Sequence, residues 1–184
     1  MITQERAAPK AADIADLRDW IAKVESMGDL IRIHQEVDPI EEMGAITYMV
    51  GKKVAAPALL FDNIKGHPGR WSSLWNILAS SYDRVAITLG IEPGLPVVEL
   101  IAEARQRLAR RIPPVEVDAR TAPVNEIILR GDDIDLRKLP APKHWPLDGG
   151  GQPGDDVGRY LGTADAVLTR DPDTGIINIG TYRM

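Results

Sequence analysis

A stretch rich in proline and charge, residues 113–123, divides this chain into two segments with different patterns. Before it, helical and strand patterns alternate; after it come strand patterns and a long irregular loop. The length of 184 residues allows one large or two small domains. We therefore predict an α/β domain over residues 13–112, a linker over 113–123 and a mainly β domain over 124–184, α+β overall. Residues 1–12 are predicted to form a flexible tail.

The first segment alternates between helix and strand signals. Asp13 or Asp16 can cap a helix with apolar residues at helical spacing, and Gly28 is placed to end it. This alternation predicts an α/β layer arrangement. The further predicted elements are a strand over 30–33, a helix over 41–53, a buried strand over 58–61, an extended segment over 71–78, a helix over 81–89, and a helix from Pro96 that Pro113-Pro114 terminates.

The second segment reads as β structure around one long loop. Residues 124–130 are predicted to form a strand, and residues 140–158 a long irregular loop of the kind that is usually functional or disordered. Residues 160–170, the turn residues 171–175 and the final strand predict a hairpin. So small a domain would bury little apolar surface and expose a sheet edge at Met184. We therefore expect an N-terminal fragment that needs more chain or a partner.

The final strand carries an amide and a guanidinium, Asn178 and Arg183. Their separation nominally puts them on opposite faces, because side chains alternate along a strand. Gly180 between them could break that alternation, since glycine inside a strand often marks a bulge. From periodicity alone, a surface ribbon with an exposed arginine is favoured, or a buried structural ion pair for Arg183.

Composition excludes several classes of site and partner. The chain has no cysteine, which excludes disulfides and thiolate metal sites, and a formal charge of −5 argues against nucleic-acid binding. It shows no apolar stretch of membrane-span length and no signal peptide, so we expect a cytoplasmic protein with no membrane partner. His34, His67 and His144 are too scattered for a zinc site. His144 is predicted to pack at the domain junction rather than face a pocket.

Several runs of residues resemble a known family. Thr163, the run 169–175 and the run 178–184 resemble the cofactor-binding hairpin of the UbiD-like decarboxylases, which use prenylated FMN. Further similar runs are residues 16–20 with 28–30, residues 57–68, and residues 135–142 ahead of His144-Trp145-Pro146.

The resemblance implies a fold and a set of site residues. It makes the second domain the start of a split β-barrel that binds flavin, in a protein that continues beyond Met184. Arg183 is implied to be catalytic, holding the substrate carboxylate. The family's other metal ligands, a histidine and a glutamate, and its catalytic glutamates are expected beyond this chain. The implied cofactor-binding residues are Asn178, Ile179, Gly180, Thr181 and Arg183, and the implied metal residues are Asn178 for Mn²⁺ or Mg²⁺ and Thr163 for K⁺.

The activity implied for the intact protein is reversible nonoxidative decarboxylation of an aromatic or α,β-unsaturated carboxylic acid, with release of CO2. A flavin prenyltransferase would supply the cofactor, the intact protein would be a homo-oligomer, and the fragment alone would be inactive. Two alternatives stay open. The chain could be a noncatalytic subunit or assembly module of a split enzyme, or part of a flavin-binding oxidoreductase with the same barrel fold.

Overall fold

A computed structural model describes residues 10–69, 71–113 and 115–184. The chain forms two compact units: residues 10–30 join Ser81–Leu136 in the first, and Ile31–Ser80 joins Arg137–Met184 in the second. No helix in these ranges is long and apolar enough to cross a membrane. The helices are α1 (Leu17–Ser26), α2 (Glu42–Gly51), α3 (Tyr82–Thr88) and α4 (Val97–Ala109), and the strands are β1 (Leu30–Ile33), β2 (Ala58–Phe61), β3 (Ser73–Trp75), β4 (Asp165–Arg170) and β5 (Ile177–Tyr182).

Local signals define both ends of α1. The Asp16 carboxylate accepts hydrogen bonds from the amides of Arg18, at 2.8 Å, and Asp19, at 3.0 Å. These bonds satisfy amides that have no partner inside the helix. Gly28 follows the helix with φ of 73°, a conformation that glycine adopts without strain. The predicted helix is therefore confirmed, with Asp16 rather than Asp13 as its cap.

The first unit is organised around α3. Its Ser81 cap accepts from the Arg84 amide at 3.2 Å, so the helix predicted over 81–89 is present and begins one residue later. The Arg84 side chain is fully buried and donates from Nη1 to Asp29 Oδ2 at 2.6 Å, so its charge is paired inside the unit. A small apolar core lies beside it, comprising Ala86, Ile91 and Leu100 with Leu89 and Ala104 packed against them.

Part of the predicted flexible N-terminal tail is held in place. Residues 1–9 lie outside the described residues. Ala11, however, starts a short 3₁₀ helix, is 1% exposed, and donates its amide to Glu92 Oε1 at 2.8 Å. The part of the tail from Lys10 onward is therefore fixed to the first unit.

The second unit contains a three-stranded sheet in the order β1-β2-β3. β2 pairs with β3 in antiparallel fashion, with Leu59 opposite Trp75 and Phe61 opposite Ser73. Every residue of β2 is buried, as predicted for residues 58–61, because both faces of the strand are covered. The core cluster around it comprises Val37, Met43, Leu59, Phe61 and Ile64, with Ile33, Ile46, Val50 and Trp75 packed against it.

The strand predicted over residues 124–130 is wrong. The structure has a 3₁₀ helix over Pro123–Asn125 and irregular chain after it. Ile127 is 61% exposed and Ile128 is 58% exposed, so these β-branched side chains have no pleated surface to pack on. β-propensity depends on such packing, and without it the local pattern does not produce a strand. Pro114, in the predicted linker, lies outside the described residues, and the sequence-based domain division stays a prediction.

Candidate functional site

The predicted hairpin is present, formed by β4 and β5. The strands pair in antiparallel register, with Thr169 opposite Asn178. Asp171 Oδ1 builds the turn by accepting from the amides of Asp173, at 3.0 Å, and Thr174, at 2.7 Å. Gly175 completes it with φ of 71°, so the turn has the chemistry predicted for residues 171–175.

Gly180 does not mark a bulge. It lies opposite Val167 in an uninterrupted register, so the possibility that it breaks the alternation is not realised. A Cβ at Gly180 would overlap the ring of Tyr182, the next residue on the same face of β5. In this structure the absent side chain makes room for that ring.

A bulge lies instead at the other end of the ribbon. The Met184 amide donates to Gly162 O at 3.1 Å, and the Gly162 amide donates to Met184 O at 3.2 Å. The register of β4 and β5 would put Thr163 opposite Met184, so one extra residue has entered the upstream strand. Thr163 and Ala164 together oppose Arg183, which is the arrangement of a β-bulge. The bulge brings Thr163 next to Arg183 along the ladder.

Asn178 is not brought to the same place. It is exposed near the turn end of the ribbon, opposite Thr169, and five residues of strand put its Cα about 17 Å from that of Arg183. Ile179 and Thr181 are also exposed, on the face of β5 opposite to Asn178. The predicted cofactor residues thus lie along an open two-stranded ribbon, which does not by itself enclose a flavin.

The described residues do not provide a complete metal site. They contain no group of three or more His, Asp or Glu side chains placed to hold an ion. The amide of Asn178 and the hydroxyl of Thr163 are too few ligands for Mg²⁺, Mn²⁺ or K⁺, because such hard cations take about six or more oxygen ligands. The donor set therefore does not fit a metal without further chain, and no chemical step is assigned to one.

Arg183 forms the centre of a compact polar cluster. Its Nη2 donates to Asp148 Oδ2 at 2.5 Å, and its Nη1 donates to Asp148 Oδ1 at 3.2 Å. This is the bidentate geometry in which a guanidinium binds a carboxylate most strongly. The Asp148 side chain is 12% exposed and that of Arg183 is 34% exposed. Hydrogen bonding from Arg183 is the main reason that the pKa of Asp148 is held below its ordinary value.

His144 contacts the same guanidinium. Its Nδ1 lies 3.2 Å from Arg183 Nη2. Because arginine can only donate, Nδ1 accepts, which makes the ring neutral with its proton on Nε2. Burial, and then the charge of Arg183, lower the pKa of His144, while Asp148 opposes the shift. The imidazole also packs against Trp75, with ring centroids 4.6 Å apart.

Tyr160 completes the cluster by covering one face of the guanidinium. Arg183 Cζ lies 3.8 Å from the centroid of the Tyr160 ring, within the range of a cation–π contact. Asp148 and His144 hold the edge of the guanidinium while Tyr160 lies on its face. Arg183 therefore has a fixed orientation.

A buried lysine fixes the loop that carries His144 and Asp148. Lys143 is fully buried, and its Nζ donates to Gln152 O and to Asp155 Oδ1, each at 2.5 Å. Its backbone amide and carbonyl bond to Pro39 O and the Glu41 amide, at 3.0 and 2.9 Å, which ties the loop to the start of α2.

Two glycines close the base of the same loop. A Cβ on Gly149 would overlap the backbone of Gly158, and a Cβ on Gly158 would overlap the carbonyl of Asp148. Only glycine permits this approach, and both residues have positive φ. The segment between them, residues 150–157, therefore leaves and returns at one point, beside Asp148.

The sequence indicated part of this cluster. His144 was predicted to pack rather than to face a site, and the structure shows both the packing against Trp75 and the contact with Arg183. Asp148 and Tyr160 were not singled out. The available signal for Asp148 was its place in a long loop rich in glycine, proline and aspartate. The ion pair considered for Arg183 is present, although the arginine is partly exposed.

Two family profiles match the chain. That of the 3-octaprenyl-4-hydroxybenzoate carboxy-lyase N-terminal domain matches residues 21–107, and that of the Rift-related domain of the same carboxy-lyase matches residues 115–184.

Relatives from other organisms match almost the whole chain. An uncharacterized protein of Aquifex aeolicus is 35% identical over 188 residues, covering 92% of this chain and 35% of that protein. Another, of Aeropyrum pernix, is 30% identical over 190 residues, covering 93% of this chain and 36% of that protein. The chain thus spans about a third of the length of these relatives.

Solved structures of decarboxylases are similar over the same range. Vanillic acid decarboxylase of Sedimentibacter hydroxybenzoicus in its open form has a TM-score of 0.76 and 29% identity, over 92% of this chain and 36% of that chain. The UbiD-class enzyme HmfF of Pelotomaculum thermopropionicum, in an evolved dimeric form with prFMN, has a TM-score of 0.69 and 31% identity, over 91% of this chain and 35% of that chain. The 3,4-dihydroxybenzoic acid decarboxylase of Klebsiella pneumoniae has a TM-score of 0.76 and 29% identity, over 92% and 34% of the two chains.

Proposed function

The chain belongs to the UbiD family of carboxy-lyases, and on that premise we propose that it is the N-terminal part of a reversible nonoxidative decarboxylase of aromatic or α,β-unsaturated carboxylic acids. The observation that carries this proposal is the ordered match of two consecutive carboxy-lyase domains, over residues 21–107 and 115–184. The similar solved structures include decarboxylases of vanillic acid and of 3,4-dihydroxybenzoic acid. Both of those named substrates are aromatic acids.

Arg183 is the residue of this chain that would bind the substrate carboxylate. A guanidinium stays charged at any physiological pH and binds a carboxylate through two parallel hydrogen bonds. The bidentate contact with Asp148 supports the assignment, because it presents Arg183 in the geometry that a ligand carboxylate would use. Tyr160 and His144 would keep the guanidinium in that orientation. Binding and orienting the substrate is thus the proposed contribution of this chain.

The proposed cofactor of the intact enzyme is prenylated FMN, supported by the prFMN-bound structure of HmfF. Asn178 and the backbone of residues 179–181 would run along it, with Mn²⁺ or Mg²⁺ at Asn178 and K⁺ at Thr163. The remaining ligands and the rest of a split barrel would come from further polypeptide, so we propose that the 184-residue chain alone is inactive. A flavin prenyltransferase, homo-oligomeric assembly and a cytoplasmic location complete the proposal.

An assembly role is the second candidate, favoured by the exposed apolar side chains of the hairpin. Leu168 is 67% exposed, Ile176 67% and Ile179 64%. Exposed apolar side chains grouped in this way are typical of a surface that further polypeptide covers, whether from the same chain or from a separate subunit. The test is whether this chain binds stoichiometrically to a separate UbiD-type subunit that is already fully active. Such binding, with no change in the activity of that subunit, would favour the assembly role over the enzymatic one.

The direct test is native mass spectrometry of the intact enzyme containing this chain, produced with a flavin prenyltransferase and manganese. We expect one prenylated FMN per active site, and CO2 release from a panel of benzoic and cinnamic acids. The 184-residue chain made in the same way serves as the matched control and is expected to release no CO2. An intact protein that binds unmodified FMN, consumes NAD(P)H and leaves every acid unchanged would contradict the proposal in favour of an oxidoreductase.

A further inference from the structure

The guanidinium of Arg183 has no edge left for a second carboxylate. A guanidinium has five N–H donors and two edges that can hold a carboxylate in bidentate fashion, Nη1 with Nη2 and Nε with Nη2. Asp148 occupies the first edge through Oδ1 and Oδ2. His144 Nδ1 accepts at Nη2 as well, 3.2 Å away, and so blocks the second edge. Each of the two hydrogens on Nη2 thus has an acceptor, one on either edge, and neither edge is open to a ligand in this arrangement.

From this geometry we propose that Asp148 is an intramolecular competitor for the carboxylate site of Arg183, so that a ligand carboxylate binds there only by taking the place of Asp148. This role rests on the proposed function of Arg183 in binding carboxylate. Asp148 then sets the affinity of the site, because the observed affinity of a ligand is the difference between its own binding to Arg183 and that of Asp148.

Charge favours an exchange over joint binding. Asp148 and Arg183 neutralise each other in a partly buried cluster, with the Asp148 side chain only 12% exposed. A second carboxylate beside that pair would add an uncompensated negative charge, and two like charges a few ångströms apart repel strongly where water is scarce. Replacement of one carboxylate by another keeps a single carboxylate in contact with the guanidinium.

The structure also provides for Asp148 once it is displaced. Its Oδ2 accepts from the Trp145 amide at 3.1 Å, a contact within its own loop that does not depend on Arg183. The released carboxylate therefore keeps a donor, whereas a buried carboxylate without one would be costly. His144 can stay against Trp75 throughout, because that packing does not involve Asp148.

Benzoate is a suitable probe, and the Arg183 side-chain resonances in NMR of the intact, selectively labelled enzyme that contains this chain report its binding. Asp148→Asn leaves an acceptor of similar shape but no charge, and hydrogen bonds to ionised groups are about twice as strong as neutral ones. We therefore expect Asp148→Asn to lower the Kd for benzoate about tenfold. Asp156→Asn is the matched control, since it removes one exposed carboxylate from the same loop and should leave the Kd near that of the wild type.

The outcomes separate this role from the proposed function. If benzoate binding depends on Arg183 but Asp148→Asn gains no more than Asp156→Asn, the competitor role is overturned while the role of Arg183 stands. If Asp148→Asn with Arg183→Ala binds benzoate as well as Asp148→Asn alone, Arg183 is not the carboxylate-binding residue and both proposals fail.

A second measurement uses the unaltered chain and so does not depend on how the variants fold. Saturation with benzoate should shift the side-chain carboxyl ¹³C resonance of Asp148 as it leaves the guanidinium, with the resonance of Asp156 unchanged. Benzoate bound at Arg183 with the Asp148 resonance unmoved would overturn the exchange.

Discussion

Lys143 Nζ lies 2.5 Å from Asp155 Oδ1, and the two members of this pair differ sharply in exposure: the lysine side chain is fully buried, while that of the aspartate is 32% exposed. The two ends of the pair therefore respond differently to loss of the partner. A buried charge left alone is costly, whereas a carboxylate near the surface can turn to water.

We predict that Asp155→Ala lowers the stability of the chain more than Lys143→Met does. The first change removes the closest counter-charge of the buried ammonium, which then keeps the carbonyl of Gln152, at 2.5 Å, and the more distant carboxylate of Glu41, at 3.6 Å. The second substitutes an apolar side chain of similar length for the cation and leaves Asp155 free to hydrate. Urea unfolding of the two variants gives the comparison, and a larger loss for Lys143→Met would contradict it.

A second prediction concerns the buried arginine of the first unit. Asp29→Asn should cost about 3 kcal/mol of unfolding free energy, because Arg84 is fully buried and loses its ionised acceptor at 2.6 Å. Asp13→Asn, which neutralises an exposed aspartate of the same unit, should cost less than about 0.5 kcal/mol. Equal effects in thermal or urea unfolding would show that the Arg84 pair contributes nothing particular.

The His144 ring should make the chain less stable in mild acid. Burial and the charge of Arg183 lower the pKa of His144 in the folded state, so the unfolded chain takes up this proton at the higher pH. The contribution is complete above the ordinary histidine pKa of about 6.5 and is lost as the pH falls below it. Asp148, whose pKa is also lowered, contributes a further loss only below about pH 4.

The check is the urea midpoint of the wild type and of His144→Asn at pH 7.5 and 5.5. Asparagine keeps an acceptor near the Nδ1 position and does not titrate. We expect a smaller fall in midpoint for the variant than for the wild type. Indistinguishable pH dependence would mean that protonation of His144 is not disfavoured by folding.

Two glycines of the long loop give a matched pair of substitutions. Gly154 and Gly158 both have φ of 80° or just below, so alanine should cost about 1 kcal/mol at either through backbone strain. A Cβ at Gly154 meets nothing within 4 Å, whereas one at Gly158 overlaps the carbonyl of Asp148. Gly158→Ala should therefore cost at least about 2 kcal/mol more.

Gly158→Ala should also change the environment of Arg183, because the displaced carbonyl belongs to Asp148, whose side chain binds Arg183. We expect the Arg183 side-chain resonances to shift in Gly158→Ala and to stay in place in Gly154→Ala. Equal stability and unchanged spectra for the two variants would show that the base of the loop is not closed in solution.

In the intact enzyme, Arg183→Ala should reduce kcat/KM by at least about 100-fold while prenylated FMN stays bound, because the carboxylate would lose its orientation. Arg183→Lys should recover only part of the loss, since an ammonium cannot form the bidentate contact. Arg170→Ala removes a guanidinium from the same hairpin, one that donates to Gly175 O, and should leave turnover close to normal. Near-normal turnover of Arg183→Ala would contradict the assignment of Arg183 as the residue that binds the substrate carboxylate.

How much could be predicted from the sequence depends on how local each signal is. Asp16 and Ser81 cap the helices that follow them through bonds to residues at most three positions away, and Asp16 is one of the two caps that the sequence offers for α1. The turn around Asp171 is equally local. Residues 124–130 have a strand-like composition, but a strand needs a partner, which a single segment cannot reveal.

The candidate site shows the same limit. The final strand could be predicted to carry Arg183, but its partner Asp148 is 35 positions earlier and reaches it only because of the path of the intervening loop. Lys143, an isolated lysine in the sequence, holds that path from a buried position through Asp155 and Gln152. No periodicity distinguishes such a lysine from one exposed to solvent.

The contact between Gly149 and Gly158 makes the position of the hairpin independent of the length of the loop segment between these two glycines. Because residues 150–157 depart and return where Gly149 touches Gly158, this segment could lengthen or shorten during evolution without moving the hairpin. One residue of this segment limits such changes in length: Asp155 supplies the counter-charge of the buried Lys143 and has to stay within reach of it.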